Sequence, residues 1–127
     1  MIELVKTRIH EQEVIDSLRS DAAGSVLVFI GEPRRSDDDG KVVSIEYSAY
    51  EEMAIKELNK IEAEARKKEG IIDIVIIHRV GDVPLKETSL LVIVTSAHRK
   101  EGYEVSQWIV EEIKSKVPIW KEVKLEN

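Results

Sequence analysis

The stretch "IIDIVIIHRVGDVPLKETSLLVIVTSA" (residues 71–97) contains two long apolar runs, 71–77 and 90–94. Both runs are rich in valine and isoleucine, which favour buried β-strands. The segment "DVPLKET" (82–88) separates them, and its length suits a hairpin connection. We therefore expect two neighbouring strands at the centre of the fold.

Further strands are predicted on both sides of this stretch. The run "GSVLVFIG" (24–31) is continuously apolar between two glycines, which predicts a buried strand. Three other segments alternate polar and apolar residues, as half-exposed strands do: "IELVKTR" (2–8), "KVVSIEYSAY" (41–50) and "IWKEVKL" (119–125).

Apolar residues recur at helical spacing in three segments: 11–20, about 51–68 and about 100–115. They are Val14, Ile15 and Leu18 in the first, Ala54, Leu58, Ile61 and Ala65 in the second, and Val105, Trp108, Ile109 and Ile113 in the third. Gly70 follows the second helix as a cap. The predicted class is α+β, a single domain over 1–127 with a mainly antiparallel sheet covered by helices.

Composition limits the classes of function. The 127 residues are 43% hydrophobic and 35% charged, and no apolar run approaches the roughly 20 residues of a membrane helix. The first residues, "MIELVKTRIHEQEV", lack the apolar core of a signal peptide, so a cytoplasmic location is expected. The chain has no cysteine, which excludes disulfides, thiolate metal sites and a cysteine nucleophile.

Charge and histidine placement narrow the classes of ligand. A net charge of −6 and 5% aromatic residues argue against nucleic-acid binding. His10, His78 and His98 fall on separate elements without metal-ligand spacing, and no phosphate-binding glycine motif is present. We expect no metal and no cofactor, and an anionic ligand would need a local basic patch.

Basic residues gather at the ends of apolar elements, where a scaffold presents groups to ligands. The segments are "GEPRR" (31–35), "IHRVG" (77–81), "TSAHRK" (95–100) and "KSKVPIWK" (114–121). Cations at the start of the third helix have the wrong sign for its dipole, which suggests an anion held there.

Each of these segments also has a purely structural interpretation. Arg34 and Arg35 could pair with the aspartates of "SDDDG", and a structural role is favoured for His78 and Arg79. His98 and Arg99 could be solvated beside a Thr95 or Ser96 cap. The lysines of the last segment also suit a helix C-terminus.

Taken in order, five motifs resemble the large subunit of molybdopterin synthase, the MoaE family. They are "FIGEPR" (29–34), "IEYSAYEEMA" (45–54), "IHRVGDV" (77–83), "VTSAHRKEGYE" (94–104) and "IKSKVPIWKE" (113–122). The resemblance implies an α/β-hammerhead-type fold. It also implies sulfur transfer to cyclic pyranopterin monophosphate, which forms the dithiolene of molybdopterin in molybdenum cofactor biosynthesis. The sulfur donor would be the thiocarboxylated C-terminal Gly-Gly of a small ubiquitin-like partner, bound to each end of a homodimer in a heterotetramer.

The resemblance also assigns site residues. It implies that Lys114 and Lys121 are catalytic, and that the substrate is bound by Arg34, His98, Arg99 and Lys116. Phe29 and Trp120 would pack beside the site.

Two departures from the family pattern affect these assignments. The family loop usually has a valine before a single arginine. Here Pro33 precedes Arg34 and a second arginine follows, so Arg34 and Arg35 could exchange roles. Many members have a longer tail that adds a basic residue across the dimer, and we expect that contact to be absent or supplied otherwise. A non-catalytic module that binds the tail of a ubiquitin-like protein is the alternative function, and a small-anion sensor that binds a pterin phosphate without a partner is a third.

Overall fold

The computed structural model describes residues 1–35 and 40–126. In chain order the elements are β1 (Ile2–Val5), α1 (Glu11–Ser17), β2 (Ser25–Gly31), β3 (Val42–Ala49), α2 (Glu51–Arg66), β4 (Ile71–Arg79), β5 (Gly81–Pro84), β6 (Leu90–Ser96), α3 (Arg99–Lys116) and β7 (Ile119–Leu125). No helix of the described residues is long and apolar enough to cross a membrane.

The strands form two sheets rather than the single sheet that the sequence predicted. The larger sheet has the order β1-β4-β6-β2, in which β1 and β4 are parallel and the other pairs antiparallel. The smaller sheet has the order β5-β3-β7 and is antiparallel throughout. The predicted α+β class with mainly antiparallel pairing is confirmed.

The two central strands, β4 and β6, are antiparallel neighbours, as predicted. Their connection is more than a hairpin loop, however. Gly81, with a left-handed φ of 93°, turns the chain into β5, which pairs with β3 in the smaller sheet. This connection therefore ties the two sheets together.

Helices α2 and α3 cover one face of the larger sheet and build the main core. The predicted α2 stripe of Ala54, Leu58, Ile61 and Ala65 is buried, and so are three of the four residues predicted for α3. Trp108 is only partly buried at the edge of this core. The opposite face of the sheet packs against residues of α1 and against Ile9.

Strand β2 is an edge strand rather than the buried strand that its apolar run predicted. Among the described residues, β6 is its only strand partner. Val28 and Ile30 are 37% and 40% exposed, on the face where α1 leaves them uncovered. An apolar run indicates a strand, but its place in the sheet depends on partners that the run does not specify.

Candidate active site

A cavity of about 750 Å³ lies where one end of the larger sheet meets the smaller sheet. Its walls come from the ends of β2, β4 and β6, the last turn of α3, and the inner faces of β3 and β7. Apolar side chains supply much of the wall: Phe29, Ile45, Leu90, Ile113, Ile119 and Val123. Sites that bind small molecules are commonly apolar concavities of this size with a few polar groups.

Lys114 and Lys121 both line this cavity, from opposite sides of the Pro118 turn. Helix α3 ends at Lys116, and Tyr50 donates its backbone N–H to the Pro118 carbonyl at 3.1 Å, which holds the turn against the start of α2. In β7, Lys121 stands opposite Tyr47 of β3, and both face the cavity. The turn thus brings the last turn of α3 and the start of β7 to one space.

Arg34 lines the same cavity from the segment that follows β2. The carbonyl of Gly31 accepts hydrogen bonds from the Ser89 N–H at 2.8 Å and the Ser89 hydroxyl at 3.0 Å. Pro33 is buried, so the chain is anchored on both sides of Glu32. Arg35 does not line the cavity, and the aspartates that the sequence offered as partners, 37–39, lie outside the described residues.

His98 and Arg99 lie elsewhere, in an open depression of about 540 Å³ lined also by Gly24, Ser25, Ala97 and Lys100. The chain approaches closely here, since a Cβ on Gly24 would lie 2.3 Å from the Ala97 carbonyl oxygen. His98, rather than Thr95 or Ser96, is the N-cap residue of α3. Its backbone N–H donates to the Glu101 carboxylate at 2.7 Å.

Glu101 supplies the negative charge that the start of α3 requires. Hydrogen bonds from its own backbone N–H and from that of His98 lower the pKa of this carboxyl. Glu101 therefore compensates this helix end, whereas His98 and Arg99 have the wrong sign for it, and both of their side chains are exposed.

The two cationic groups occupy opposite ends of β2. Ser25, at the depression, pairs with Ser96, whereas Gly31, at the cavity, pairs with Leu90. At a rise of about 3.4 Å per residue, the ends of this strand are roughly 20 Å apart. One chain therefore brings Arg34, Lys114 and Lys121 together but leaves His98 and Arg99 separate.

Lys116 and Trp120 are also placed away from the cavity. Lys116 forms an ion pair with Glu112 at 2.7 Å, and the hydrogen bond that its ammonium donates to this carboxylate raises the pKa of the lysine. Trp120 is 58% exposed and does not line the cavity, so its expected role as a packing group beside the site is wrong. Phe29 does line the cavity.

His78 lines the cavity as well, although its sequence context indicated only a structural role. It lies at the end of β4 and is 6% exposed. Burial lowers the pKa of its imidazole, against a smaller opposing effect of the Arg79 carbonyl. Within the described residues, no group of three or more His, Asp or Glu side chains could hold a metal ion.

The model of the family described as MoaE protein matches residues 4–116. The chain belongs to the MoaE family. The resemblance drawn from its motifs is therefore confirmed.

Curated relatives of this MoaE chain cover most of its length. It is 40% identical over 110 residues to the molybdopterin synthase catalytic subunit of Pyrococcus abyssi, a match that covers 87% of this chain and 74% of the relative. It is 37% identical over 126 residues to the same subunit of Thermoplasma volcanium, covering 99% and 92%.

Solved structures show the same fold. A crystal structure of molybdopterin synthase from Staphylococcus aureus superposes with a TM-score of 0.90 at 34% identity, covering 98% of this chain and 91% of the other. A chain from a complex of subunits 1 and 2 of the molybdopterin-converting factor of Helicobacter pylori superposes at 0.84 with 22% identity, covering 99% and 86%.

Proposed function

We propose that this MoaE chain is the catalytic subunit of a molybdopterin synthase, a sulfurtransferase of molybdenum cofactor biosynthesis. It transfers sulfur from the thiocarboxylated C-terminus of a small ubiquitin-like subunit to cyclic pyranopterin monophosphate. The observation that carries this proposal is the gathering of Arg34, Lys114 and Lys121 around one cavity in a chain of this family.

The charges of the cavity suit both reactants. A thiocarboxylate and a phosphorylated pterin are anions, and the chain as a whole has a net charge of −6. Three cations and one carboxylate, that of Glu32, line this space, so its local charge is positive on an otherwise acidic protein.

Lys114 is the proposed acid/base group. It lies on the last turn of α3 and lines the cavity, so its ammonium can donate a proton or stabilise negative charge that develops as sulfur is transferred. Lys121 supplies a second positive charge from β7, and Arg34 holds an anionic group of the substrate with its planar guanidinium.

The sulfur donor proposed for this site is a small subunit with a C-terminal Gly-Gly thiocarboxylate. A tail without side chains can enter a narrow space between two sheets, and its terminal anion would meet the two lysines. A chain of the same fold occurs in the two-subunit complex from Helicobacter pylori, which supports a partner of this kind.

We further propose that the catalytic unit is a homodimer in which β2 pairs with β2 of a second copy, within a heterotetramer. The exposed Val28 and Ile30 and the free edge of β2 support this arrangement. Antiparallel pairing about a two-fold axis would place the Ser25 end of one copy beside the Gly31 end of the other. His98 and Arg99 of one copy would then complete the cavity of its partner, where they would bind the substrate phosphate.

The activity is tested by mixing the purified chain, the thiocarboxylated small subunit and cyclic pyranopterin monophosphate, and measuring molybdopterin. Product that depends on all three components supports the proposal. Binding of the small subunit without any product would favour the non-catalytic module instead.

The shared site is tested by mixing equal amounts of Lys114→Ala and Arg99→Ala under conditions that exchange subunits, at a substrate concentration well below the wild-type KM, where both variants are slow. A mixed dimer has one intact site and one doubly altered site, so random mixing should restore about a quarter of the wild-type rate. A site formed within one chain would show no recovery. Light scattering gives the mass of the assembly independently.

A further inference from the structure

His78 lies at the base of the cavity, at the point where β4 ends. It stands beside Leu4 of β1 and Leu90 of β6 in the larger sheet. Its ring centroid is 5.0 Å from that of Tyr47 in the smaller sheet, and the two rings meet edge to face at 70°. Both rings line the cavity, so His78 is held between the two sheets with little freedom to rotate.

The hydrogen bond of the ring fixes the tautomer of His78. Its Nδ1 atom is 2.8 Å from the carbonyl oxygen of Arg79. A carbonyl oxygen can only accept, so Nδ1 carries the hydrogen and donates it. Because burial lowers the pKa of the ring, the imidazole is neutral near pH 7, and Nε2 is left with a free lone pair.

Nε2 has no hydrogen-bond partner among the described residues, although the side chain is 6% exposed. It is also not sealed inside the protein. In residues 1–35 and 40–126, the side-chain polar atoms that are both fully buried and unpaired are Arg79 Nε and Ser106 Oγ. Nε2 of His78 is unpaired but is not among them, so it is not fully buried. Since His78 lines the cavity, we infer that Nε2 is open to the cavity.

We propose that His78 is a specificity-determining residue whose Nε2 accepts a hydrogen bond from an N–H or O–H group on the ring system of the bound substrate. This proposal rests on the proposed function, because it concerns the same cavity. Arg34, Lys114 and Lys121 can only donate, so they suit the anionic groups of the reactants. A reduced pterin also carries N–H donors, and these need an acceptor that stays uncharged beside the cations.

His78 fits this role better than Glu32, the carboxylate that lines the same cavity. The Glu32 side chain is exposed at the rim, where water competes for its oxygens. The imidazole is held by Tyr47 and by the Arg79 carbonyl, so it loses little rotational freedom when a ligand binds. An acceptor held in this way recognises the position of a donor as well as its presence.

The test compares His78→Phe, His78→Gln and the wild type in the three-component assay. Phenylalanine keeps an aromatic ring against Tyr47 but has no acceptor, whereas glutamine retains an acceptor oxygen. We expect His78→Phe to raise the KM for cyclic pyranopterin monophosphate about fivefold to tenfold with little change in kcat, and His78→Gln to recover part of the loss. His10→Phe is the matched control, since His10 is exposed and does not line the cavity.

Nitrogen-15 NMR gives a readout that a purely structural role would not change. When the substrate binds, the Nε2 resonance of His78 should shift as expected for an accepted hydrogen bond, and that of His10 should not. An unchanged Nε2 resonance in saturated protein overturns the proposal, whatever the variants do.

Two kinetic outcomes would also overturn it. An unchanged KM in a folded His78→Phe protein would show that the ring makes no contact with the substrate. A loss in kcat alone would show that the ring acts through a lysine. If the wild type makes no molybdopterin at all, the proposed function fails, while the NMR titration still tests His78.

Discussion

Cationic side chains lie beside both ends of β2, but in different surroundings. At the Gly31 end, Arg34 and the two lysines stand around a cavity with apolar walls between two sheets. At the Ser25 end, His98 and Arg99 lie in an open depression beside the helix start that Glu101 caps. The cationic side chains are exposed at both ends, so the difference lies in the wall: at the Gly31 end three of them converge on one concavity with apolar walls, whereas at the Ser25 end two stand on an open surface. This difference supports the proposal of chemistry at the Gly31 end and of anchoring at the Ser25 end.

The largest effect is expected at the Gly31 end, where the cavity lies. Lys114→Ala should lower sulfur transfer about a hundredfold or more, because it removes a group that moves a proton or stabilises charge in the transition state. Folding should be retained, since the Lys114 side chain is exposed, and the small subunit should lose only the contact of its terminal anion with this lysine. The measurement is the single-turnover rate of molybdopterin formation.

Two further variants sharpen this result. Lys67→Ala is the matched control, because Lys67 is also an exposed lysine at a helix end, but it is the C-cap residue of α2 and does not line the cavity. Lys114→Arg keeps the positive charge but cannot give up its proton in practice. An active Lys114→Arg enzyme would assign Lys114 a purely electrostatic role, and a wild-type rate in Lys114→Ala would remove it from the active site.

A smaller effect is expected at the open end. Arg99→Ala should weaken substrate binding about tenfold, because it removes a charge-assisted contact to the phosphate. Calorimetric titration with cyclic pyranopterin monophosphate measures this loss. Arg19→Ala, which removes an exposed arginine of an ion pair next to α1, is the control. Equal affinities for Arg99→Ala and wild type would leave the depression without a role in substrate binding.

Lowering the pH should reduce the stability of the folded protein through His78. Because its pKa is lowered in the folded protein, the unfolded chain takes up a proton below about pH 6.5, where the folded protein does not. The free energy of unfolding should therefore fall as the pH drops from about 6.5 towards the lowered pKa. Denaturant unfolding at several pH values should show this slope reduced in His78→Phe. The same slope in both proteins would contradict it.

The smallest effect is expected for Lys116→Ala, although the family resemblance implied a substrate contact. Lys116 is paired with Glu112 and does not line the cavity, so the rate should stay within about twofold of wild type. A tenfold loss would mean that Lys116 leaves Glu112 and reaches the substrate in the assembled enzyme.

Local sequence patterns were sufficient for the helices but not for the arrangement of strands. The stripe from Ala54 to Ala65 predicts α2 because helical spacing alone defines its buried face. The edge position of β2 was missed because it depends on which strands pair, and β5 was missed because four residues that include Pro84 give little strand signal.

The same limit applies to the site. Lys114 and Lys121 are close in sequence, so a single proline turn predicts that they meet. His78 is far from them along the chain, and it reaches the cavity only because the smaller sheet packs against the end of β4. No local pattern could have separated Arg34 from His98 and Arg99 either, since β2 and its pairing with β6 set that distance.

Helix α3 carries Arg99 on its first turn and Lys114 near its last, so the length of the helix sets the distance between these two residues, one at each end of β2. One residue inserted between them would move one end by about 1.5 Å along the axis and turn it by about 100° relative to the other. Lys114 would then leave the cavity, or Arg99 the depression. Natural length variation in this protein should therefore be tolerated in its loops but not within α3.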